Sequence, residues 1–197
     1  MLTDFYVLLF DNFETLDAFG PVEIIGALPD IYRLHYVSLT GGIINGSQGL
    51  RIETAPFSQV NEGGILLIPG GQGTRTLVQQ ADFINQLSLI ASKSTWILTV
   101  CTGSALLAGT DLLNGHKATS NKRALDWVVS LNPKVHWIKH ARWVVDDHIY
   151  SSSGVSAGMD MVLGFVSNLY GSETADEICR RIEYIRNPDS THDPFAP

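Results

Sequence analysis

The sequence predicts an α/β protein: a doubly wound, mostly parallel β-sheet sandwiched by helices, with a small β-hairpin arm, in a single domain over residues 1–197. Three observations predict it. Short, almost continuously apolar runs read as strands covered on both faces, and they alternate with segments of helical periodicity. Such alternation implies parallel strands joined by right-handed crossovers. Two stretches interrupt it with glycine, asparagine and aspartate turn signals, which mark antiparallel additions.

Taken in order, "FYVLLF" (5–10) is the first strand, "TLDAFGPVEIIGAL" (15–28) the first helix and "RLHYVSL" (33–39) the second strand. "GGIINGSQGLRIE" (41–53) sets turn residues between short β runs and makes the hairpin arm. "ILLIP" (65–69) and "WILTV" (96–100) are further buried strands, and "TRTLVQQADFINQLSLIASKS" (74–94) between them reads as one helix. "TGSALLAGTDLL" (102–113) is the next helix. "VHWIKHARWVVDDHIYSSS" (135–153) alternates and turns at "DDH", which predicts antiparallel strands. "VSAGMDMVLGFVSNLYG" (155–171) and "SETADEICRRIEYI" (172–185) are two closing helices, followed by a proline-containing tail.

Composition narrows the function. A chain of 197 residues, 45% hydrophobic and 17% charged, has an ordinary globular balance and length enough for a substantial core. Its net charge of −7 and scattered Lys and Arg argue against nucleic-acid binding and against an anionic membrane surface, both of which reward basic patches. The 197 residues contain no basic helix-turn-helix segment. No apolar run approaches the roughly 20 residues of a membrane span, and the N-terminal "MLTDFYVLLFDNFE" lacks a basic leader. Two cysteines, Cys101 and Cys179, make no disulfide framework. The expected compartment is the reducing cytoplasm.

The chemistry centres on "TWILTVCTGSALLAG" (95–109), where Cys101 ends a buried strand and a helix follows at once. Ligands of such sheets bind at the carboxyl ends of the strands. A tight strand-to-helix turn there holds a nucleophile out of the sheet. Gly103, Ser104 and Ala105 suit the close packing of that turn, although Thr99 stands where the usual elbow has its first glycine. Free amides at the helix start are expected to lower the thiol pKa, and the Thr102 N–H points where an oxyanion develops. The alternative is that Cys101 is a small buried hydrophobe. "LLIPGGQGT" offers a second oxyanion donor at the Gly70–Gly71–Gly73 turn. Among the acids after the first strand, Asp17 has the apolar neighbours Leu16, Ala18 and Phe19. Asp11, Glu14 and Glu23 read as solvated or capping groups. Beside a thiolate, Asp17 is expected to stay protonated, so that it donates to sulfur and hands over a proton.

The motifs "TLDAFGPVE", "LLIPGGQGT", "VCTGSALLAGTDLLNG", "SSSGVSAGMDMVL" and "RRIEY" together resemble the ThiJ/PfpI superfamily, whose fold is flavodoxin-like and class I glutamine amidotransferase-like. The closest pattern is the isonitrile hydratase branch, with the related amidase-like domains of AraC-type regulators. The resemblance implies that Cys101 is the nucleophile, Asp17 the acid on the thiol, Thr102 the residue after the nucleophile, and Gly71 the oxyanion-hole position. It also implies a homodimer with the site close to the interface; no cofactor is expected, since no GxGxxG or Walker sequence is present. Two departures stand out. Protease-like members have His after the cysteine where this chain has Thr102, which argues against a Cys–His peptidase dyad. Many relatives read "TTHW" where this chain reads "TSNK" (119–122), so Asn121 or Lys122 replaces a pocket histidine.

The remaining candidates read as structural. His136 and His140 look like a surface pair rather than metal ligands, Cys179 like core packing, and Trp127, Trp137 and Trp143 like core or interface residues. No metal or nucleotide motif is present. The leading expectation is a cysteine-dependent small-molecule enzyme hydrating an isonitrile to an N-substituted formamide. Alternatives are a cofactor-free glyoxalase or amidase built on the same cysteine, and a non-enzymatic redox or ligand sensor.

Overall fold

Apolar runs with nothing polar to expose end up at the middle of the sheet, and the computed structural model, which describes residues 2–196, places them there. In chain order the elements are β1 (Thr3–Leu8), α1 (Thr15–Gly26), β2 (Tyr32–Ser38), β3 (Thr40–Asn45), β4 (Arg51–Pro56), β5 (Ile65–Ile68) and α2 (Thr74–Leu77). There follow α3 (Ala81–Ala91), β6 (Trp96–Val100), α4 (Gly103–Ala108), β7 (Lys117–Ala118), α5 (Leu125–Leu131), β8 (His136–Trp137), β9 (Trp143–Asp146), β10 (Ile149–Ser152), α6 (Ala157–Tyr170) and α7 (Ser172–Arg181). Eight strands form the main sheet in the order β3-β4-β2-β1-β5-β6-β10-β9. The six inner strands are parallel, and an antiparallel strand closes each edge.

The chain winds from β1 outward to β2, then returns to lay β5 on the other side of β1. This reversal is a topological switch point, and it opens a crevice beyond the carboxyl ends of β1 and β5. β6 lies next to β5, so Cys101 emerges beside that crevice. Gly20 brings α1 close to α6: a Cβ there would sit 2.8 Å from the Met159 Cγ.

Three expectations change in detail. The helix expected over 74–94 is two helices, because Gln80 adopts an extended conformation (φ −94°, ψ 98°). The break frees α2 to dock Thr74 beneath Gly71, while α3 lays Phe83, Leu87 and Ile90 on the sheet. The helix expected over 102–113 ends at Ala108, where Gly109 and then Asp111, at φ 63°, turn the chain. Only 143–152 of the expected antiparallel segment is a hairpin. Its "HW" portion pairs in parallel with β7 instead, Lys117 opposite His136. The arm at 41–53 does fold as the antiparallel pair β3–β4, and it is tied to the β1–α1 turn by the Asn12 N–H donating to the Asn45 carbonyl at 2.8 Å.

Candidate active site

Cys101 follows β6 directly and takes φ 57°, a left-handed backbone that a non-glycine residue adopts only when its surroundings enforce it. Here they do. Its N–H reaches the carbonyls of Ser152 and Ser153 at 3.2 and 3.0 Å, and its carbonyl accepts from Ser104 Oγ at 3.1 Å and Ser120 Oγ at 2.8 Å. The elbow is thus gripped by β10 on one side and by two buried hydroxyls on the other. Cys101 is 7% exposed and lines a cleft of about 320 Å³ together with Glu14, Gly71, Gln72, Arg75, Asn121 and Arg123, among others.

Asp17 lies in the first turn of α1 and is fully buried. Its Oδ2 accepts the Gly70 N–H at 3.0 Å. Its Oδ1 is buried without a well-formed hydrogen bond, and the Cys101 thiol is the polar group coupled to the carboxyl. Burial, reinforced by the charge of Glu14, pushes the Asp17 carboxyl up to about 7, against the pull of the Gly70 amide and the thiol. Burial also pushes the Cys101 thiol up to about 12, with the Asp17 charge adding to it, while the backbone N–H groups of Thr102 and Val155 draw it down. The lowered thiol pKa expected from the helix start is therefore reversed. α4 is only six residues long, and enclosure beside a carboxyl outweighs two amides. Both shifts run the same way, so each group tends to keep its proton rather than set a second negative charge beside its neighbour.

Thr102 and Gly71 are brought together, but not as two open donors. The Gly71 N–H donates to Thr102 Oγ1 at 3.1 Å, and Thr74 Oγ1 lies 3.1 Å from the same oxygen. The Thr102 and Val155 amides face the sulfur instead. Gly70 is required by closeness: a Cβ there would sit 2.6 Å from the Thr102 nitrogen and 2.8 Å from Asp17 Oδ2.

Of the two residues at the "NK" departure, Asn121 lines the cleft. Its Oδ1 accepts from the N–H groups of Arg123 and Ala124 at 3.0 and 3.2 Å. Lys122 turns away, its Nζ donating to Thr119 Oγ1 at 2.9 Å and to the Ala141 carbonyl at 2.6 Å. His136 and His140 are exposed, Cys179 is buried in the core cluster, and both cysteines are free. Asp11 accepts from the Asn45 backbone at 2.9 Å, and Glu14 from Gln48 Nε2 at 2.9 Å, so both tie down the arm.

The DJ-1/PfpI family model matches residues 4–168. The chain belongs to the DJ-1/PfpI family. Within reach of this family, the chain is 29% identical over 182 residues to an isonitrile hydratase from Pseudomonas putida, covering 92% of this chain and 78% of that protein. It is 24% identical to the HTH-type transcriptional regulator CdhR from Pseudomonas aeruginosa, spanning 90% of this chain but only 54% of the regulator's length. Among solved structures, a THiJ/PfpI family protein from Pseudomonas syringae superposes with TM-score 0.85 at 26% identity, over 95% of this chain and 77% of that one. The mostly parallel, helix-flanked sheet of this DJ-1/PfpI protein is the fold of those neighbours.

Sequence reasoning missed Val155, Arg75 and Arg123. Val155 stands at φ 31°, unusual for a β-branched residue, and no sequence signal announces that. The two arginines lie on separate elements, and only the fold brings them to one cleft.

Proposed function

We propose that this protein is a cysteine-dependent small-molecule enzyme of isonitrile hydratase type. The observation that carries the reading is the pairing of an elbow cysteine that lines the cleft with a fully buried, proton-holding Asp17. Likeness to an isonitrile hydratase along 92% of the chain supports it.

In the reaction, Asp17 holds a proton between its carboxyl and the Cys101 sulfur. As sulfur attacks the terminal isonitrile carbon, an S–C bond forms and that carbon takes one proton by way of Asp17, giving a thioimidate. Water then adds to the same carbon, the C–S bond breaks, and the N-substituted formamide leaves with the thiol restored. One water is consumed and no oxidant is needed. Splitting one difficult addition into two steps is the benefit of covalent catalysis. The Thr102 and Val155 amides stabilise negative charge on sulfur as it attacks and departs.

The test is a panel of isonitriles, glyoxals and amides assayed on wild type and Cys101→Ala. Formamide production by wild type alone is the expected result. Glyoxal turnover in place of isonitrile turnover would move the substrate to an aldehyde. A thiol that oxidises while nothing on the panel is turned over would replace the enzyme with the sensor, a role for which the kinship to transcriptional regulators speaks.

A further inference from the structure

The cleft beside Cys101 carries two guanidinium groups, Arg75 and Arg123. Neither forms an ion pair or side-chain hydrogen bond among the described residues, and both line the same cleft. Arg75 is nonetheless held in place, with its Cζ 3.7 Å above the centre of the Trp127 ring. Stacking occupies the face of a guanidinium and leaves the N–H donors around its edge available. Arg123 is fixed at its backbone, where its N–H donates to Asn121 Oδ1 at 3.0 Å. The one carboxylate in the lining, Glu14, already accepts from Gln48 Nε2. In a chain of net charge −7, two guanidinium groups against this single carboxylate give the cleft a local excess of positive charge.

We propose that Arg75 and Arg123 form a carboxylate-binding subsite, so that the molecule presented to Cys101 is a small electrophile bearing a carboxylate group. The planar fork of Arg matches a carboxylate with two parallel N–H···O bonds. A volume of about 320 Å³ is at the small end for ligand sites, which suits a compact acid. The proposal rests on the reading of Cys101 as a nucleophile toward small molecules, and it names their charge class.

The test is chosen so that the two ideas fail separately. In a Cys179→Ser background, the alkylation rate of Cys101 is measured with iodoacetate and with neutral iodoacetamide at one pH. The ratio of the two rates cancels any general change in thiol reactivity. Arg75→Gln/Arg123→Gln is expected to lower that ratio about tenfold, the scale of one lost charge-assisted hydrogen bond. Raising the salt concentration should lower it in the parent, because exposed charges are screened. A ratio untouched by both substitutions overturns the subsite. Turnover is then compared for 3-isocyanopropanoate and its methyl ester. A kcat/KM preference for the acid, lost in the double variant, supports the subsite; equal losses on acid and ester overturn it. Were neither isonitrile consumed while the iodoacetate preference persisted, the subsite would stand and the hydratase reading would fall.

Discussion

In the proposed reaction, Asp17 serves chemistry at the expense of ordinary solvation. A fully buried carboxyl is tolerable when neutral, and a neutral carboxyl beside a thiol is a proton donor. Asp17→Asn keeps the shape and a hydrogen-bond donor but cannot pass a proton. Turnover should fall by about 10²–10⁴-fold, the usual worth of general acid–base help, while Cys101 still alkylates. Retention of near wild-type turnover would end the assignment. The same residue should shape stability. Its folded value of about 7 lies above the ordinary 3.8, so the folded state keeps a proton that the unfolded chain releases. The stabilisation is full below pH 3.8 and is lost as pH rises towards 7. Wild type should lose melting temperature relative to Asp17→Asn across that window, at about 2–4 °C per kcal/mol for a chain of this size. Parallel melting curves from pH 4 to 8 would show the carboxyl to be ionised throughout.

At the scale of elements, the candidate site is made of turns at the carboxyl ends of β1, β5, β6 and β10, and their tolerances are tight. Gly70 lies against the Thr102 backbone and the Asp17 carboxyl, so a methyl there must displace one of them. Gly70→Ala is expected to cost about 1–3 kcal/mol in urea unfolding, the usual penalty of overpacking. It should also slow turnover by more than the loss of folded protein explains. By contrast, an added methyl at Gly115, where a Cβ meets nothing within 4 Å, tests backbone strain alone at φ 79° and should leave activity per folded molecule unchanged. If the two substitutions affect turnover alike, the Gly70 turn does not position the site.

Across the whole molecule, the C-terminal tail is fastened to the sheet through a buried charge cluster. Arg142 reaches Asp160 Oδ2 through Nε at 2.7 Å and through a terminal nitrogen at 2.6 Å, with Asp193 at 3.8 Å. Asp160 Oδ1 accepts from the Tyr184 hydroxyl and the Asn187 N–H at 3.0 and 2.9 Å. The clasp reaches the site as well: the Arg142 carbonyl accepts from the Ser153 N–H, and the Ser153 carbonyl accepts from the Cys101 N–H. Asp160→Ala is expected to destabilise by about 3–5 kcal/mol, since it strands a buried guanidinium, and to loosen the elbow enough to slow Cys101 alkylation at temperatures where the fold persists. A drop below 1 kcal/mol would show the cluster to be solvated. Assembly as a homodimer is proposed on the same scale. The edge strand β3 carries Ile43 at 56% exposure, and an unpaired, partly apolar edge invites a second chain. Light scattering at micromolar concentration should give twice 21.6 kDa, and a monomer mass would remove the proposal.

The sequence by itself determined the sheet and most helices, and it marked Cys101 and Asp17 as candidates. Continuous apolar runs must be buried on both faces, and a cysteine at a strand end or an aspartate among apolar neighbours stands out as a local anomaly. What only the tertiary structure decided depends on distance between segments far apart in the chain. It broke the 74–94 helix to place Thr74, sent the Gly71 amide to the Thr102 hydroxyl, and brought Val155 to the sulfur. It also joined Arg75, Arg123 and Trp127 around one cleft and Arg142 to Asp160 inside the core. The thiol's protonation was decided there too. A local helix start favours the anion, whereas enclosure beside a second acid disfavours it, and enclosure exists only once the chain has folded.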